Sequence, residues 1–596
     1  MCGIIGMVGG ERDNRNTAIH KAVSTLVRRG PDDKGVTDFS KATLGHTRLS
    51  IIDLTTGAQP MKDNRHDMAI TFNGEIYNYK KLRVRLEQKG HSFSTTSDTE
   101  VILKSYSEYG DKCPEYLDGQ FTFAIWDNEK ERLFMARDRF GEKPLFYHYQ
   151  GPALIFASEI KALLATGLVN NTLDRTSLDN YLALYFIPPW RSMYRDITPL
   201  LPAHRAVFQN GKLTIERYWK LTHETNSVSY DDAAARVREL LAESVKSRMV
   251  ADVEVGVFLS GGIDSSIVTA LAQRAADRPL KSFSAGFDEH INELPYARKI
   301  AAHVGTDHYE RNVPVLLDDI RAVTRYYDEP LGDSSNVPTA LISKFARGPV
   351  RGSASNGVKV VLSGDGGDEL FFGYGHYRAH WHLPKVKKLL ALVLGFSPDA
   401  LYKRSHLNMF SPHERAHLWK DRGAVESDPT KYVDLSEAKT SLQKINLLDI
   451  YLKLPGDMLT KVDRSSMMHS LEVRSPFLNH ELAQFAFNLP DDYKTDRGRG
   501  KLILQKACGD LLPENVFTRK KQGFGAPVRH WLKEDPVRAL MNEMFKDPRS
   551  AAIFNADVMR SYINDFYSGN SALSYKIWML FTLELWMREH DGAYSF

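Results

Sequence analysis

The sequence contains few cysteines, almost no excess of positive over negative charge and only short apolar runs. Each of these features excludes a class of protein. Three cysteines in 596 residues are too few for a disulfide framework and fit a reducing cytoplasm. Lys and Arg total 78 against 74 Asp and Glu, which gives no reason to expect a nucleic-acid or membrane partner. The most apolar run, residues 389–396, is far shorter than the roughly 20 residues that cross a bilayer. Because the N-terminus also lacks a signal-peptide core, we expect a cytoplasmic protein.

The pattern of predicted strands and helices changes along the chain, and 596 residues are too many for a single hydrophobic core. The first part alternates apolar strands with turns and a few helices, which predicts an α+β domain with stacked sheets. A polar stretch at residues 222–228 is typical of a linker. Beyond it, strands and helices alternate as in a parallel α/β sheet, and the C-terminal part is mostly helical. We therefore place two domains at residues 2–215 and 228–596.

A tight turn is predicted inside the first domain. The apolar strand at residues 68–72 runs directly into Asn73-Gly74. This dipeptide tolerates the positive φ angles of two-residue hairpin turns, so the strand is expected to end there.

Cysteine directly follows the initiator methionine. If Met1 is removed, Cys2 carries a thiol and a free α-amine, with reference pKa values of about 8.5 and about 7.7–8.0. An amine that titrates near neutrality can serve as a general base, so Cys2 can activate its own thiol as a nucleophile. From this position alone, an incidental cysteine at a frayed chain end is an equally good interpretation.

A loop rich in glycine and serine follows a predicted strand at residues 254–259 and precedes a helix at 267–275. It reads LSGGIDSS over residues 259–266. Its glycines let backbone amides approach an anion, and the helix N-terminus favours negative charge. Asp264 would repel phosphate but suits a Mg²⁺ ion that bridges to it. The loop lacks Walker A spacing and matches the SGGxDS loop of ATP pyrophosphatases; a plain glycine-rich turn is the alternative.

A second loop, SGDGGDE over residues 363–369, follows a short apolar strand. Carboxylates that end a parallel strand lie at the edge of the sheet where ligands bind. Asp368 can therefore complete a Mg²⁺ site with Asp264, and Asp365 can meet the acyl substrate or its adenylate. A solvated acidic turn is the alternative. In a third segment, residues 519–525, Lys521 can neutralise charge on phosphate, unless it is ordinary surface lysine.

Taken together, the sequence resembles the glutamine-dependent asparagine synthetase family over nearly its whole length. The first half resembles a class II glutamine amidotransferase with an N-terminal-nucleophile fold, and the second an ATP-pyrophosphatase-type synthetase. The motifs that carry the resemblance are MCGIIG at 1–6, RGPD at 29–32, GHTRLSI at 45–51, FNGEIY at 72–77, SDTE at 97–100, ARDRFG at 136–141, the two loops above, LEVRSPFL at 471–478 and KQGF at 521–524.

For the first half, the resemblance implies a glutaminase. Cys2 would attack the side-chain amide of glutamine and form a thioester, with an oxyanion hole made by the Asn73 side chain and the Gly74 N–H. Arg48 would bind the α-carboxylate of glutamine. The other residues implied around glutamine are Glu75 and Asp98, for its α-ammonium and amide, and the backbone of Leu49, Ser50, Ile51 and Ile52.

For the second half, the resemblance implies adenylation of a carboxylate by ATP, with Mg²⁺ at Asp264 and Asp368. Asp365 and Lys521 would be catalytic, and ammonia from the first site would arrive through an internal tunnel. The implied ATP contacts are Leu259, Ser260, Gly261, Gly262, Asp264, Ser265, Ser266, Ala285, Ser363 and Gly364.

The expected acceptor is aspartate, which gives asparagine, glutamate, AMP and pyrophosphate. Two segments leave the acceptor open. GDSSNVPT at 332–339 resembles a DSSxxPT pattern that also occurs in relatives that amidate other substrates, and it contains no arginine to match the α-carboxylate of aspartate. Its polar side chains are Asp333, Ser334, Ser335, Asn336 and Thr339. GPVRGSASNG at 348–357 looks like an extra polar loop.

Three alternatives therefore stand beside asparagine synthesis. The same chemistry could act on another carboxylate in a natural-product, cell-wall or surface-polysaccharide pathway. A cyclising synthetase similar to the β-lactam-forming relatives is disfavoured, because it does not need an activated Cys2. An inactive protein that only binds glutamine or nucleotide is disfavoured because no motif residue is missing. The sequence leaves the oligomeric state open, with a homodimer as one candidate.

Overall fold

A computed structural model describes most of the chain. The described residues are 1–63, 65–225, 227–287, 292–348, 357–381, 407–421, 428, 430–519, 526–592 and 594–596. Three features singled out in the sequence lie outside them: the apolar run at 389–396, residues 349–356 of the predicted extra loop, and Lys521 with its neighbours at 520–525.

The first half forms two antiparallel sheets that stack face to face with helices on their outer sides. In spatial order, the first sheet contains Thr198–Pro199, Phe146–Gln150, Ala153–Ala157, Gly3–Val8, Ala42–Arg48 and Asp33–Asp38. The second contains Lys212–Arg217, His204–Gln209, Arg132–Arg137, Gly119–Asp127, Met68–Ile76 and Met61–Asp63. The helices are Arg12–Thr25, Tyr79–Gln88, Asp98–Tyr109, Cys113–Tyr116, Ile160–Ala165 and Arg175–Leu184. The predicted α+β architecture is confirmed.

Alternation along the strands produces these layers. In strand Gly3–Val8, Ile4 and Val8 pack between the sheets in a core that also holds Trp126. Ile5 and Met7 point the other way and pack with residues of helix Arg12–Thr25. Because successive side chains of a strand face opposite sides, this fully buried strand can be covered on one face by a sheet and on the other by a helix. Its position places Cys2 at the edge of the core.

The predicted turn at Asn73-Gly74 is wrong, because strand Met68–Ile76 continues through both residues. Asn73 pairs with Thr122 and Gly74 with Phe121 of the neighbouring strand. Gly74 has a φ of +150°, and a Cβ atom there would lie 2.0 Å from the carbonyl oxygen of Gln120. The glycine thus permits close strand pairing, and pairing outweighs the local turn preference.

The second half contains a parallel sheet of five strands, confirming the predicted α/β region. Their spatial order is Asp307–Asn312, Lys281–Gly286, Val255–Phe258, Val360–Leu362 and Glu472–Arg474. The last of these lies within the part that we predicted to be nearly all helical. The longer helices are Tyr230–Arg248, Ile263–Ala275, Leu294–Val304, Leu317–Tyr326, Asn336–Arg347, Gly375–Trp381, Pro412–Leu418, Ser441–Leu448, Leu459–Met467, His480–Asn488, Leu502–Cys508, Asp535–Met544, Ala556–Tyr567 and Ser574–Glu589. Shorter ones are Gly367–Leu370, Asp491–Lys494, Asn515–Thr518 and Val528–Trp531.

A wide, π-type helical stretch, Asp449–Met458, connects two of these helices and contains Pro455. Such stretches are rare and often accompany functional sites. This one delivers Asp457 to the cavity described below.

The two halves pack closely. Buried apolar side chains of both halves belong to shared cores, and the Tyr181 hydroxyl donates to the carbonyl of Met579 in the last helix at 2.9 Å. The predicted linker, where described, lies outside helices and strands, and its Thr222 is held by Gln484. The domain limits 2–215 and 228–596 stay a prediction.

None of the helices in the described residues combines the length and the apolar composition that crossing a bilayer requires.

Candidate active sites

Cys2 lies directly before strand Gly3–Val8 and is 7% exposed. Its N–H donates to Oδ1 of Asn73 at 2.8 Å, and its carbonyl accepts from Nε of Arg29 at 2.9 Å. Burial raises the pKa of the Cys2 thiol, and the N-terminal charge and the Leu49 backbone N–H offset part of that rise. The backbone of Cys2 is therefore held by Asn73 of the facing sheet and by Arg29.

Met1 precedes Cys2 in this structure and is also buried. Its α-amine forms an ion pair with Oε2 of Glu472, a residue of the parallel sheet, at 2.8 Å. The α-amine of Cys2 is free to act as a base only after Met1 is removed.

The oxyanion-hole prediction concerns Asn73 and Gly74, which lie beside Cys2 on the facing sheet. Oδ1 of Asn73 accepts from the Cys2 N–H, whereas the buried Nδ2 has no hydrogen-bond partner among the described residues. A buried amide donor without a partner is costly in the absence of a ligand. Nδ2 is therefore available to a substrate oxygen near the thiol.

Of the three charged residues predicted to hold glutamine, Arg48 and Asp98 are held in place by backbone groups. Arg48 ends strand Ala42–Arg48 and donates through Nη2 to the carbonyl oxygens of Ile52 and Asp53. Asp98 begins a helix, and its Oδ2 accepts from the Ile76 N–H at 3.0 Å.

The acidic residues of this pocket are strongly buried. Burial raises the pKa of Asp98 to about 6. Burial, followed by the charge of Glu472, also raises the pKa of Glu75, and Arg474 lies 3.5 Å from Glu75 Oε1. A cationic group of a ligand would stabilise the ionised forms of these two buried carboxyls.

The backbone segment predicted to line the pocket runs from the end of strand Ala42–Arg48. Leu49, Ile51 and Ile52 are buried, and Ser50 is partly exposed. The Ser50 N–H donates to Asp32 at 2.8 Å, and Lys359 of the second half pairs with the same carboxylate at 2.7 Å. Four of the nine predicted glutamine-binding residues, Asn73, Leu49, Arg48 and Glu75, hydrogen-bond to Cys2 or shift the pKa of its thiol, and the roles of all nine stay predictions.

A cavity of about 1010 Å³ lies at the carboxyl edge of the parallel sheet. This volume reaches the upper end of typical ligand pockets, about 300–1,000 Å³. The predicted ATP, metal and catalytic residues that line it are Leu259, Ser260, Gly261, Gly262, Asp264, Ser265, Ala285, Ser363, Gly364, Asp365 and Asp368. Ser266 is fully buried behind the loop and is not part of the lining. Lys521 lies outside the described residues.

The glycine-rich loop folds around its serines. Helix Ile263–Ala275 begins four residues earlier than predicted, so Asp264 and Ser265 lie in its first turn. The hydroxyls of Ser260 and Ser265 are 3.0 Å apart. Gly261 has a φ of +75°, and a Cβ there would come within 2.8 Å of Tyr296. The loop therefore presents hydroxyls and helix N–H groups to the cavity.

The two predicted metal ligands converge on one cation. Nζ of Lys501 pairs with Oδ2 of Asp264 and with Oδ1 of Asp368. Paired carboxylates beside a phosphate-type loop are a donor set that suits Mg²⁺. Among the described residues, no group of three or more His, Cys, Asp or Glu side chains forms a closed metal site. The two carboxylates therefore suit an ion whose remaining ligands come from a bound molecule such as phosphate.

Sequence reasoning missed several charged residues of this cavity. Lys461, Asp457 and Lys501 line it together with Asp333 of the 332–339 segment. Nζ of Lys461 contacts Oδ2 of Asp333 at 3.0 Å and Oγ of Ser335 at 2.9 Å. The available signal was the charge pattern DMLTKVDR at 457–464 within an otherwise apolar helical segment.

A buried ion pair connects Cys2 to the second half. Arg29, whose Nε holds the Cys2 carbonyl, also binds Asp463 through both terminal nitrogens, at 2.7 and 3.0 Å. Glu159 accepts a hydrogen bond from Arg29 and forms an ion pair with Arg464. These buried pairs link the backbone of Cys2 to residues of the second half.

Two protein-family models match the chain, one in each half. The model of the glutamine amidotransferase domain family matches residues 1–219, and that of the asparagine synthase family matches residues 236–588.

Individual relatives align over most of the chain. It is 32% identical to "Asparagine synthetase [glutamine-hydrolyzing] 1" of Bacillus subtilis (strain 168), covering 98% of this chain and 96% of that protein. It is 27% identical to "Amidase chry2" of Gibberella zeae, covering 89% and 90%. Among solved structures, one titled as the allosteric regulatory enzyme of purine biosynthesis aligns with 61% of this chain and 74% of its own, at 16% identity and a TM-score of 0.30.

Proposed function

The chain belongs to the asparagine synthase family, and we propose that it converts aspartate to asparagine with glutamine as nitrogen donor. It is an enzyme of the glutamine-hydrolysing asparagine synthetase type, which carries out ATP-driven, glutamine-dependent amidation. The products are asparagine, glutamate, AMP and pyrophosphate. We place the reaction in the cytoplasm, which the three free cysteines favour; a homodimer stays a prediction.

In the first site, Cys2 is the nucleophile that forms a glutamyl thioester. The free Nδ2 of Asn73 supports its role, together with the Gly74 N–H, in stabilising the oxyanion. Arg48 binds the α-carboxylate of glutamine, and Asp98 and Glu75 bind its α-ammonium and amide. Burial raises the pKa of both carboxyls, and a bound ammonium group would stabilise their ionised forms, which supports that assignment.

In the second site, the loop from Leu259 to Ser265 holds the phosphates of ATP, and Asp264 with Asp368 holds Mg²⁺. When bound, the ion neutralises charge on the phosphates. Lys501 contributes a further positive charge at that point. Asp365 faces the acyl group, and Lys521 is kept as the predicted transition-state cation.

The observation that carries the choice of acceptor is the ion pair of Lys461 with Asp333 inside the cavity. The segment 332–339 supplies carboxylate and hydroxyls but no cation, and Lys461 supplies that cation from another helix. Mixed charge of this kind is complementary to a small zwitterion such as aspartate. The same reaction on another carboxylate is the second candidate, and relatives named as amidases favour keeping it.

The test is a panel of carboxylic acids assayed for pyrophosphate release and amide formation with ATP, Mg²⁺ and glutamine. We expect aspartate to give the highest kcat/KM. Higher activity with another acid would overturn asparagine synthesis and leave the amidotransferase reaction standing.

A further inference from the structure

One end of the cavity is built by both halves of the chain. We name it the acceptor end and define it by Tyr185, Asp333, Ser335, Asp457 and Lys461, all of which line the cavity. Tyr185 follows helix Arg175–Leu184 of the first half, and the other four residues belong to the second. The acceptor end therefore exists only when the two halves are packed together.

At the acceptor end, the Asp457 carboxyl has a hydrogen bond to only one of its two oxygens among the described residues. It is 1% exposed, and its Oδ2 accepts from the Tyr185 hydroxyl at 3.0 Å. Its Oδ1 is buried and has no hydrogen-bond partner among the described residues. A buried carboxylate oxygen left in this state carries a desolvation cost that a donor from a ligand would remove.

The neighbouring charges do not supply that donor. Lys461 donates to Asp333 and Ser335 rather than to Asp457. Asp333 also accepts from the N–H and the hydroxyl of Ser335, at 2.9 and 2.7 Å. Lys453 also lines the cavity, and its Nζ lies 4.5 Å from the centre of the Tyr374 ring.

Electrostatics agree with this geometry. Burial, followed by the charge of Asp333, raises the pKa of Asp457 to about 7, against the opposing effect of Lys461 and Lys453. The Asp333 carboxyl also raises this pKa by lying close enough to share a hydrogen bond with Asp457, and a cationic donor placed between the two carboxyls would remove that repulsion. The nearby cations thus do not offset the cost of burying the ionised Asp457 carboxyl. Among ligand groups, one that is both cationic and a hydrogen-bond donor fits best, and a protonated primary amine has these properties.

We propose that Asp457, oriented by Tyr185, binds the protonated amino group of the acceptor and thereby restricts the reaction to amino-acid carboxylates. This inference rests on the proposed function, since it assumes that the cavity activates an acceptor carboxylate. It assigns a selectivity role to a residue outside the ATP loops and outside the 332–339 segment.

The selectivity should be large. An acid that lacks the amine would leave Asp457 buried and unpaired, and sites built to bind a polar group reject analogues without it by up to about 10⁴–10⁵-fold. We expect kcat/KM for L-aspartate to exceed that for succinate and L-malate by at least about 10²-fold. In these two acids, hydrogen or hydroxyl replaces the ammonium group.

The experiment measures pyrophosphate release with ammonium chloride as nitrogen source, so that the glutamine site plays no part. Asp457→Asn should raise the KM for L-aspartate by about 10²-fold and bring its kcat/KM ratio over L-malate close to one. Tyr185→Phe, which keeps the ring but removes the bond to Oδ2, should shift the ratio in the same direction by less. Each ratio is measured on one preparation, so a smaller folded fraction cancels.

Asp449→Asn is the matched control. Asp449 lies on the same helical stretch, is fully buried and bonds to His376 and Tyr377, but it does not line the cavity. Its variant should keep the wild-type ratio, even if its stability falls.

The outcomes separate the inference from the proposed function. Equal use of L-malate and L-aspartate by the wild type, or an unchanged ratio in Asp457→Asn, would refute the role of Asp457 and leave amidation intact. If another amino acid is preferred, its deaminated analogue replaces malate and the same ratios apply. Absence of pyrophosphate release with every acid would instead refute the proposed function.

Discussion

The α-amine of Met1 lies 2.8 Å from Oε2 of Glu472, and both residues are fully buried where the two halves of the chain meet. Although burial opposes ionisation of Glu472, this amine and Arg474 lower its pKa to about 2. Arg474 also bonds to Oε1 of Glu472 at 2.7 Å. Removal of Met1 therefore leaves Glu472 with a cationic partner and moves the free amine to Cys2, beside Asn73.

Retention of Met1, or an N-terminal tag, should abolish glutamine hydrolysis, because the Cys2 nitrogen is then part of a peptide bond. Synthesis from ammonium chloride should continue, because the ATP site is separate. Glutamate release and amide formation are measured before and after a protease exposes Cys2. Cys2→Ala is the control and should lack glutaminase activity in both states. Full glutaminase activity of a tagged chain would contradict activation by the α-amine.

Asn73→Asp should lower the kcat of glutamine hydrolysis by about 10²–10³-fold. The substituted side chain still offers an oxygen to the Cys2 N–H, but it loses the Nδ2 donor that we assign to the oxyanion. Ammonium-dependent pyrophosphate release, measured on the same preparation, should match the wild type. A kcat within threefold of the wild type would remove Asn73 from the oxyanion hole.

Binding of glutamine should weaken as the pH falls below about 6. Burial raises the pKa of Asp98 to about 6, and only its ionised form, present above that pH, attracts the α-ammonium of glutamine. The KM for glutamine should therefore rise on the acid side while kcat changes less. In Asp98→Asn the KM should be high throughout and this acid limb should be absent. An acid limb of unchanged position in the variant would assign it to another group.

Removal of Mg²⁺ should stop pyrophosphate release with either nitrogen source and leave glutamine hydrolysis active. Asp264→Asn and Asp368→Asn should each require more Mg²⁺ for half-maximal pyrophosphate release, since each removes one carboxylate from the pair around Lys501. The measurement is a Mg²⁺ titration of both activities. Equal loss of glutaminase activity on chelation would contradict the separation of the two sites.

The layered sheets, the parallel sheet and the loop after strand Val255–Phe258 could be predicted from sequence because their signals are local. Alternating apolar residues define the strands, and glycines with a following helix define the loop. The Asn73-Gly74 turn failed because its local preference competes with pairing to strand Gly119–Asp127, a long-range interaction. Sequence carries no local record of that competition.

The charged partners inside the cavity could not be predicted for a related reason. Lys501 reaches Asp264 across 237 residues, and Lys461 reaches Asp333 across 128 residues. Each lysine is unremarkable in its own helix or turn, and only packing of the second half brings it to the carboxylate. The same holds for Glu472, which touches Met1 through contact between the halves.

The acceptor carboxylate should react with the α-phosphorus of ATP, and oxygen transfer tests this step most directly. The enzyme is supplied with ATP, Mg²⁺, glutamine and aspartate carrying ¹⁸O in its side-chain carboxylate, and the phosphorus products are weighed by mass spectrometry. We predict one ¹⁸O atom in AMP for each asparagine formed, and none in pyrophosphate. Release of ADP with ¹⁸O in inorganic phosphate would contradict the acyl-adenylate and the roles assigned to both loops.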